Sequence, residues 1–164
     1  MRMSILATNK RAHFDYAILE TYEAGIELFG HEVKSMKTKH VSLKESFVTI
    51  HGSELYLTNT HVPPYIHAGK LDNHNPTRPR KLLLKKSEIK HLIGKARTQG
   101  LTLVPIKLYT KRRPASTRGD RLSTRGGLIK LQFGLGKGKK EYDKRDKIKK
   151  REDSIEARRA LKNF

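Results

Sequence analysis

The sequence predicts an all-β-dominated fold, a small OB-like closed β-barrel with one to three inserted helices and a basic C-terminal tail. Three observations carry that expectation. Five or six segments alternate apolar and polar residues at the period of a strand, while one segment has a clear helical stripe. The chain has 164 residues, 40 of them Leu, Ile, Val or Phe, which suits one small core better than two full domains. Residues 137–164 hold 12 basic and 6 acidic residues and few apolar ones, so this segment cannot offset its own ordering entropy.

The elements follow in chain order. Phe14, Tyr16 and Ile18 alternate with Asp15, Ala17 and Leu19 and read as a first strand, which 24–28 continues after a bend. A short helix is expected over roughly 32–38. Segments 47–50 and 55–58 flank His51-Gly52-Ser53-Glu54 and read as a hairpin. In the helix at 87–99, Ser87 serves as N-cap, Ile89, Leu92, Ile93 and Ala96 form the stripe, and Gly100 takes the position just past the end. Residues 102–109 form a strand whose Pro105 requires an edge or a bulge. Ile129, Leu131, Phe133 and Leu135 alternate with Lys130, Gln132 and Gly134 in the cleanest strand of the chain. Pro63-Pro64, 71–80 and 112–127 read as irregular. The domain reading is therefore a barrel over 1–136, with 110–128 as a basic loop, and a tail over 137–164. Glu141/Arg145, Asp143/Lys147 and Asp146/Lys150 are acid-to-base pairs at i,i+4, so the tail is expected to be disordered when free and helical on a charged surface.

The net charge is +20, and it is uneven. Residues 1–110 carry 17 basic and 9 acidic side chains, whereas 111–164 carry 19 and 7. Such an excess indicates a polyanionic partner, nucleic acid first and anionic membrane second. Four basic clusters carry it: Lys10-Arg11, then Arg78, Arg80, Lys81, Lys85 and Lys86, then 111–125, then 137–145, with Tyr142 inside the last as a stacking ring.

Other classes are excluded. The chain has no Cys, hence no disulfide, Cys-ligated zinc or thiol nucleophile. No apolar run is long enough to span a bilayer, and residues 3–7 are too short for a signal-peptide apolar region, so the expected compartment is the cytoplasm. The eight His show no His-x-x-x-His pair, and neither a nucleophile elbow nor a Walker loop occurs. Gly134-Leu135-Gly136-Lys137-Gly138 is a weak nucleotide-loop signal, and Arg118-Gly119-Asp120 is a chance tripeptide. No catalytic residue, metal site, cofactor or small-molecule substrate is expected. Composition alone also permits a structural ribosomal protein.

Several motifs in order resemble one family. They are Asn9-Lys10-Arg11-Ala12, Tyr22-Glu23-Ala24-Gly25-Ile26, Glu32-Val33-Lys34-Ser35, and Arg80-Lys81-Leu82-Leu83-Leu84 followed by a helix. Val104-Pro105 through Leu108-Tyr109, Gly136-Lys137-Gly138-Lys139-Lys140 and Tyr142-Asp143-Lys144-Arg145 complete the series. Their order and spacing, from about residue 9 to the C-terminus, are similar to those of the SmpB (SsrA-binding protein) family.

That resemblance implies an OB-fold adaptor of trans-translation in the bacterial cytoplasm, with no catalytic activity of its own. It would bind the tRNA-like domain of tmRNA and deliver it to stalled ribosomes. The tail would occupy the decoding site and the empty mRNA channel. Asn9, Lys10, Arg11, Glu32, Lys34, Arg80, Lys81 and Leu84 would form the tmRNA face. Glu32 would accept hydrogen bonds from base edges, so Glu32→Ala is expected to weaken RNA binding with little change in melting temperature; the alternative is an intramolecular pair with Lys34 or Arg80, which a collapse in stability would favour. Lys137, Lys139, Lys140, Tyr142, Asp143, Lys144, Arg145 and Leu161 would serve the decoding site. The chain departs from the pattern in three places. Tyr142 stands where His is common, Ala160-Leu161 is smaller than the usual pair, and 110–128 holds an insertion of roughly ten residues or more, which would be either a tolerated surface loop or a further RNA or ribosome contact.

Overall fold

The computed structural model describes residues 4–69, 74–111, 127–140, 145, 148–149 and 152–155. Among these, seven strands form one antiparallel sheet with a few short helices. The strands are β1 (Ser4–Thr8), β2 (Tyr16–Ile26), β3 (Phe47–His51), β4 (Glu54–Thr58), β5 (Arg80–Leu83), β6 (Thr102–Lys111) and β7 (Leu128–Gly138). The helices are α1 (Ala12–Asp15), α2 (Gly30–Lys37) and α3 (Lys86–Gln99), with a 3-10 turn at Ile66–Ala68. The sheet order is β1-β6-β7-β2-β5-β4-β3. Its end strands β1 and β3 share no ladder, although β3 approaches β6.

Where the local pattern was strong, the elements match it. In β7, Ile129, Leu131, Phe133 and Leu135 are all buried. Helix α3 buries Ile89 and Leu92, and Gly100 ends it in the left-handed region at φ 58°, donating its N–H to the Ala96 carbonyl. Its N-cap is Lys85 rather than the expected Ser87. The β3–β4 hairpin turns through Gly52 at φ 60°, the first of two loop residues, where such turns favour glycine.

Two elements differ from the expectation. Phe14 and Asp15 belong to α1, a single helical turn whose Ala12 buries against Val104 and Ile106. Strand β2 then runs unbroken to Ile26, with an irregularity between Ile18 and Glu20. Strand β6 lies between β1 and β7, so of the two expected ways to place Pro105 the fold uses the bulge. Pro105 is tolerated there because the register shifts between Pro105 and Lys107.

The main core joins Leu55, Leu57, Leu82, Leu92, Leu108, Leu131, Phe133 and Leu135 beneath α3. Each such side chain contributes about 1.5–3 kcal/mol on burial. Lys95 of α3 pairs with Glu20, which accepts the Tyr22 hydroxyl at 2.5 Å. Burial and that carboxylate push the Tyr22 phenol up to about 12. The glycines of the weak nucleotide-loop signal lie in β7, where Gly134 and Gly136 serve packing. A Cβ at Gly134 would sit 2.6 Å from Ile18 Cγ2, and one at Gly136 would sit 3.0 Å from Ile18 Cδ1.

Candidate nucleic-acid interface

Strand β2 has 11 residues, so its ends lie about 30 Å apart at ~3.3 Å per residue. The residues expected to contact RNA gather at both ends. At the C-terminal end, Gly25 and Ile26 pair with Leu83 and Leu82 of β5, and α2 follows directly. Glu32, in the first turn of α2, is 1% exposed and accepts the Phe29 N–H at 2.9 Å. Arg78 grips the same carboxylate with both Nε and Nη2, at 2.9 and 2.6 Å. Arg80 adds a third partner, Nε to Oε1 at 3.0 Å, and is 0% exposed. The Arg80 Nη groups also donate to the carbonyls of Thr60 (2.8 Å), Arg78 (3.1 Å) and Pro76 (3.0 Å). Burial pushes the Glu32 carboxyl up, but Arg78, the Phe29 N–H and Arg80 outweigh it and hold it below the ordinary value.

For Glu32 these contacts are the alternative already open in the sequence, an intramolecular pair with Arg80, and for Arg80 they differ from the expected backbone contact. Glu32 has no surface from which to read a base edge, and Arg80 has no donor left for a phosphate. Both are positioning residues that tie α2 to segment 74–83. Lys34 does stand exposed on α2, with Nζ 5.7 Å from the Tyr65 ring. Lys81 is half-buried and paired with Glu54. Leu84 packs against the core, whereas its neighbour Leu83 is 53% exposed.

At the N-terminal end of β2 the arrangement is open. Asn9 shapes the turn into α1: its Nδ2 donates to the Pro105 carbonyl at 3.0 Å, and its Oδ1 accepts the Arg11 N–H at 3.2 Å. The last residues of β7 arrive beside it, Gly138 opposite Tyr16 and Lys137 opposite Ala17. Lys139 is anchored by its N–H to the Asp15 carbonyl and by its Nζ to the His13 carbonyl, each at 2.9 Å. Lys10, Lys137 and Lys140 remain exposed. Arg11 pairs with Asp15 at 3.3 Å on the surface. A groove of about 790 Å³ runs alongside, lined by Asn9, Lys10, Arg11, Leu43, Phe47 and Val104 among others. Sequence positions 9–11 and 137–140, assigned to different jobs by the resemblance, thus share one end of the sheet.

Arg145 is helical, as are 148–149 and 152–155. Tyr142, Asp143, Lys144, Leu161 and most of the 110–128 insertion lie outside the described residues. Among the described residues, no group of three or more His, Asp or Glu is placed to hold a metal ion, and no helix is long and apolar enough to cross a membrane.

The model of the family described as SmpB protein matches residues 6–118 and 119–163. The chain belongs to the SmpB family. An SsrA-binding protein of Thermosipho melanesiensis is 49% identical over 98% of this chain and 99% of its own length. Those of Pseudothermotoga lettingae and Trichormus variabilis are 48% and 44% identical over the same share of this chain, covering 98% and 94% of their own lengths. A chain of the solved structure described as "tmRNA-SmpB: a journey to the center of the bacterial ribosome" is 45% identical, with a TM-score of 0.60 over 82% of this chain and 84% of that one.

Within this SmpB chain the fold also assembles a group that the sequence left scattered. Glu23 of β2 accepts the Tyr109 hydroxyl and Lys111 Nζ (3.0 Å), with Lys130 Nζ at 3.9 Å. The Tyr109 hydrogen bond and then Lys111 and Lys130 hold its carboxyl below the ordinary value. Its side chain is 34% exposed. Glu23 and Tyr109 each sat in a family motif, but only the β2–β7–β6 order makes them neighbours.

Proposed function

We propose that this chain is an RNA-binding adaptor of trans-translation. It binds the tRNA-like domain of tmRNA and carries it to stalled ribosomes in the bacterial cytoplasm, with no catalytic step of its own. The full-length kinship with proteins named for binding SsrA is what supports this reading most. We read the open antiparallel sheet, with β3 drawn toward β6, as the OB-like barrel that such a protein uses.

Lys10, Arg11, Lys34 and Lys81 supply backbone contacts on the body. Each phosphate neutralised releases counterions, so the affinity is salt-dependent. Asn9 and Leu84 hold this surface in shape. The carboxylate that meets RNA is Glu23 rather than Glu32, because 34% of its side chain is reachable against 1% for Glu32. Lys137, Lys139 and Lys140 form the root of the tail. Beyond them Tyr142, Asp143, Lys144, Arg145 and Leu161 enter the decoding site and the empty mRNA channel, where the tail's i,i+4 pairs favour helix against ribosomal RNA.

A gel shift at physiological salt tests the first step. Tighter binding to the tRNA-like domain than to an ordinary tRNA is expected, and equal affinity overturns the reading. Removing 141–164 is expected to leave that binding intact and to abolish peptide tagging in a reconstituted stalled-ribosome assay. Equal loss of both would make the tail the main RNA site.

A further inference from the structure

We propose that Phe29, His31, His74 and Arg78 form a stacking site for one unpaired base in a loop of the tRNA-like domain. The proposal rests on the RNA-binding reading above and adds a contact that the family motifs do not contain. Phe29 precedes α2 and is 57% exposed, an unusual position for a ring in a chain with no Trp and five Phe. The Arg78 guanidinium carbon lies 4.2 Å from its ring centre. His31 is nearly parallel to it, 5.6 Å between centres at 20°, and His74 meets His31 edge-on at 5.4 Å and 74°.

The group is held in place before any ligand arrives. Arg78 is fixed in its plane by the two-point grip on Glu32. His74 Nε2 lies 3.0 Å from the Val62 carbonyl oxygen. His31 stands on α2 two residues after Phe29. Little side-chain entropy is left to lose on binding. Aromatic faces beside an arginine plane are the chemistry on which splayed-out bases stack. A base inside a duplex already has both faces covered, so the partner is an unpaired one. Lys34 and Lys37, exposed one and two turns further along α2, lie where the adjoining phosphates would run. The buried node of Glu32 and Arg80 thereby gains a purpose at the surface, since it sets the position of Arg78.

Three full-length variants decide the matter against the tRNA-like domain over a range of salt. Phe29→Leu, which keeps apolar volume and loses the ring, is expected to weaken binding by about tenfold or more. The slope of affinity against salt should not change, because the same phosphates are still neutralised. Phe29→Trp should bind within a few-fold of the parent chain. His31→Ala, which removes a ring that meets Phe29 and His74 and takes no hydrogen bond from the Glu32 carboxylate, should weaken binding in the same slope-preserving way, and it covers the case where Phe29→Leu melts early. Parent-like affinity in both Phe29→Leu and His31→Ala overturns the proposal and leaves the adaptor reading standing. A reduced salt slope also overturns it, by making the site a phosphate contact. If the parent chain fails to prefer the tRNA-like domain, the adaptor reading falls. The same variants against an unpaired hexanucleotide then decide the stack, supporting it by a ring-dependent loss and overturning it by none.

Discussion

At the C-terminal end of β2, a 1%-exposed carboxylate faces two arginines, and every donor of one of them is used inside the protein. At the N-terminal end, Lys10, Lys137 and Lys140 stand in solvent around a turn held by Asn9 and Lys139. Both regions are rich in basic residues, and by composition they look alike. One uses its charge to hold the fold together, and the other keeps it available. A cluster of arginines in a basic protein therefore says little about RNA until its hydrogen bonds have been followed.

The largest expected effect breaks the closed end. Glu32→Ala leaves Arg80 buried without a counter-ion, at a cost of about 3–5 kcal/mol. For a chain of this size that lowers the melting temperature by about 10 °C. The sequence alone favours a loss of RNA binding with little loss of stability, and leaves the intramolecular pair with Arg80 as its alternative. A melting curve separates the two. The same site also carries a pH signature. The folded Glu32 carboxyl titrates below its ordinary value of 4.5, so the unfolded chain binds the proton first. Its contribution is complete above 4.5 and is lost as pH falls through the folded value. Urea midpoints taken on acidification should fall less steeply for Glu32→Gln than for the parent chain.

The next effect lies between the two ends. Gly134→Ala forces a Cβ to within 2.6 Å of Ile18 Cγ2, on a branched side chain with little room to yield. A loss of about 1–3 kcal/mol is expected by chemical denaturation. Gly138→Ala on the same strand meets nothing within 4 Å and should change stability by less than about 0.5 kcal/mol.

At the open end the effects on stability are smaller. Asn9→Ala removes the hydrogen bond to the Pro105 carbonyl and should cost about 1 kcal/mol. Replacing Lys10, Lys137 and Lys140 together by Ala should leave the melting curve almost unchanged. RNA affinity should nevertheless drop, and its salt slope should shrink by roughly 0.7–0.9 for each phosphate no longer neutralised. A large fall in stability from that triple change would erase the contrast between the two ends.

Much of the fold was legible because its signals are local. Strand β7 alternates over seven residues, and α3 has a stripe and a terminal glycine, so neither needs a partner to be read. Helix α1 was hidden because Phe14, Tyr16 and Ile18 keep strand periodicity, while Ala12 packs against Val104 and Ile106, which are 92 and 94 positions further along the chain. Strand β1 is five residues long and acquires its identity from pairing with β6. Lys10, Lys34 and Lys137 are exposed, whereas Glu32 and Arg80 are buried. Phe29, His31 and His74 carry no signal in the sequence, because each is an ordinary residue until the fold brings the three together.

By itself the sequence determined the strand-rich class, the two-part distribution of charge and the family, since periodicity, composition and ordered motifs are properties of the chain read in one dimension. Only the tertiary structure decided which charges are free to act. Exposure and hydrogen-bond saturation depend on residues 46 and 48 positions apart, Glu32 with Arg78 and Arg80, and no local pattern encodes that meeting.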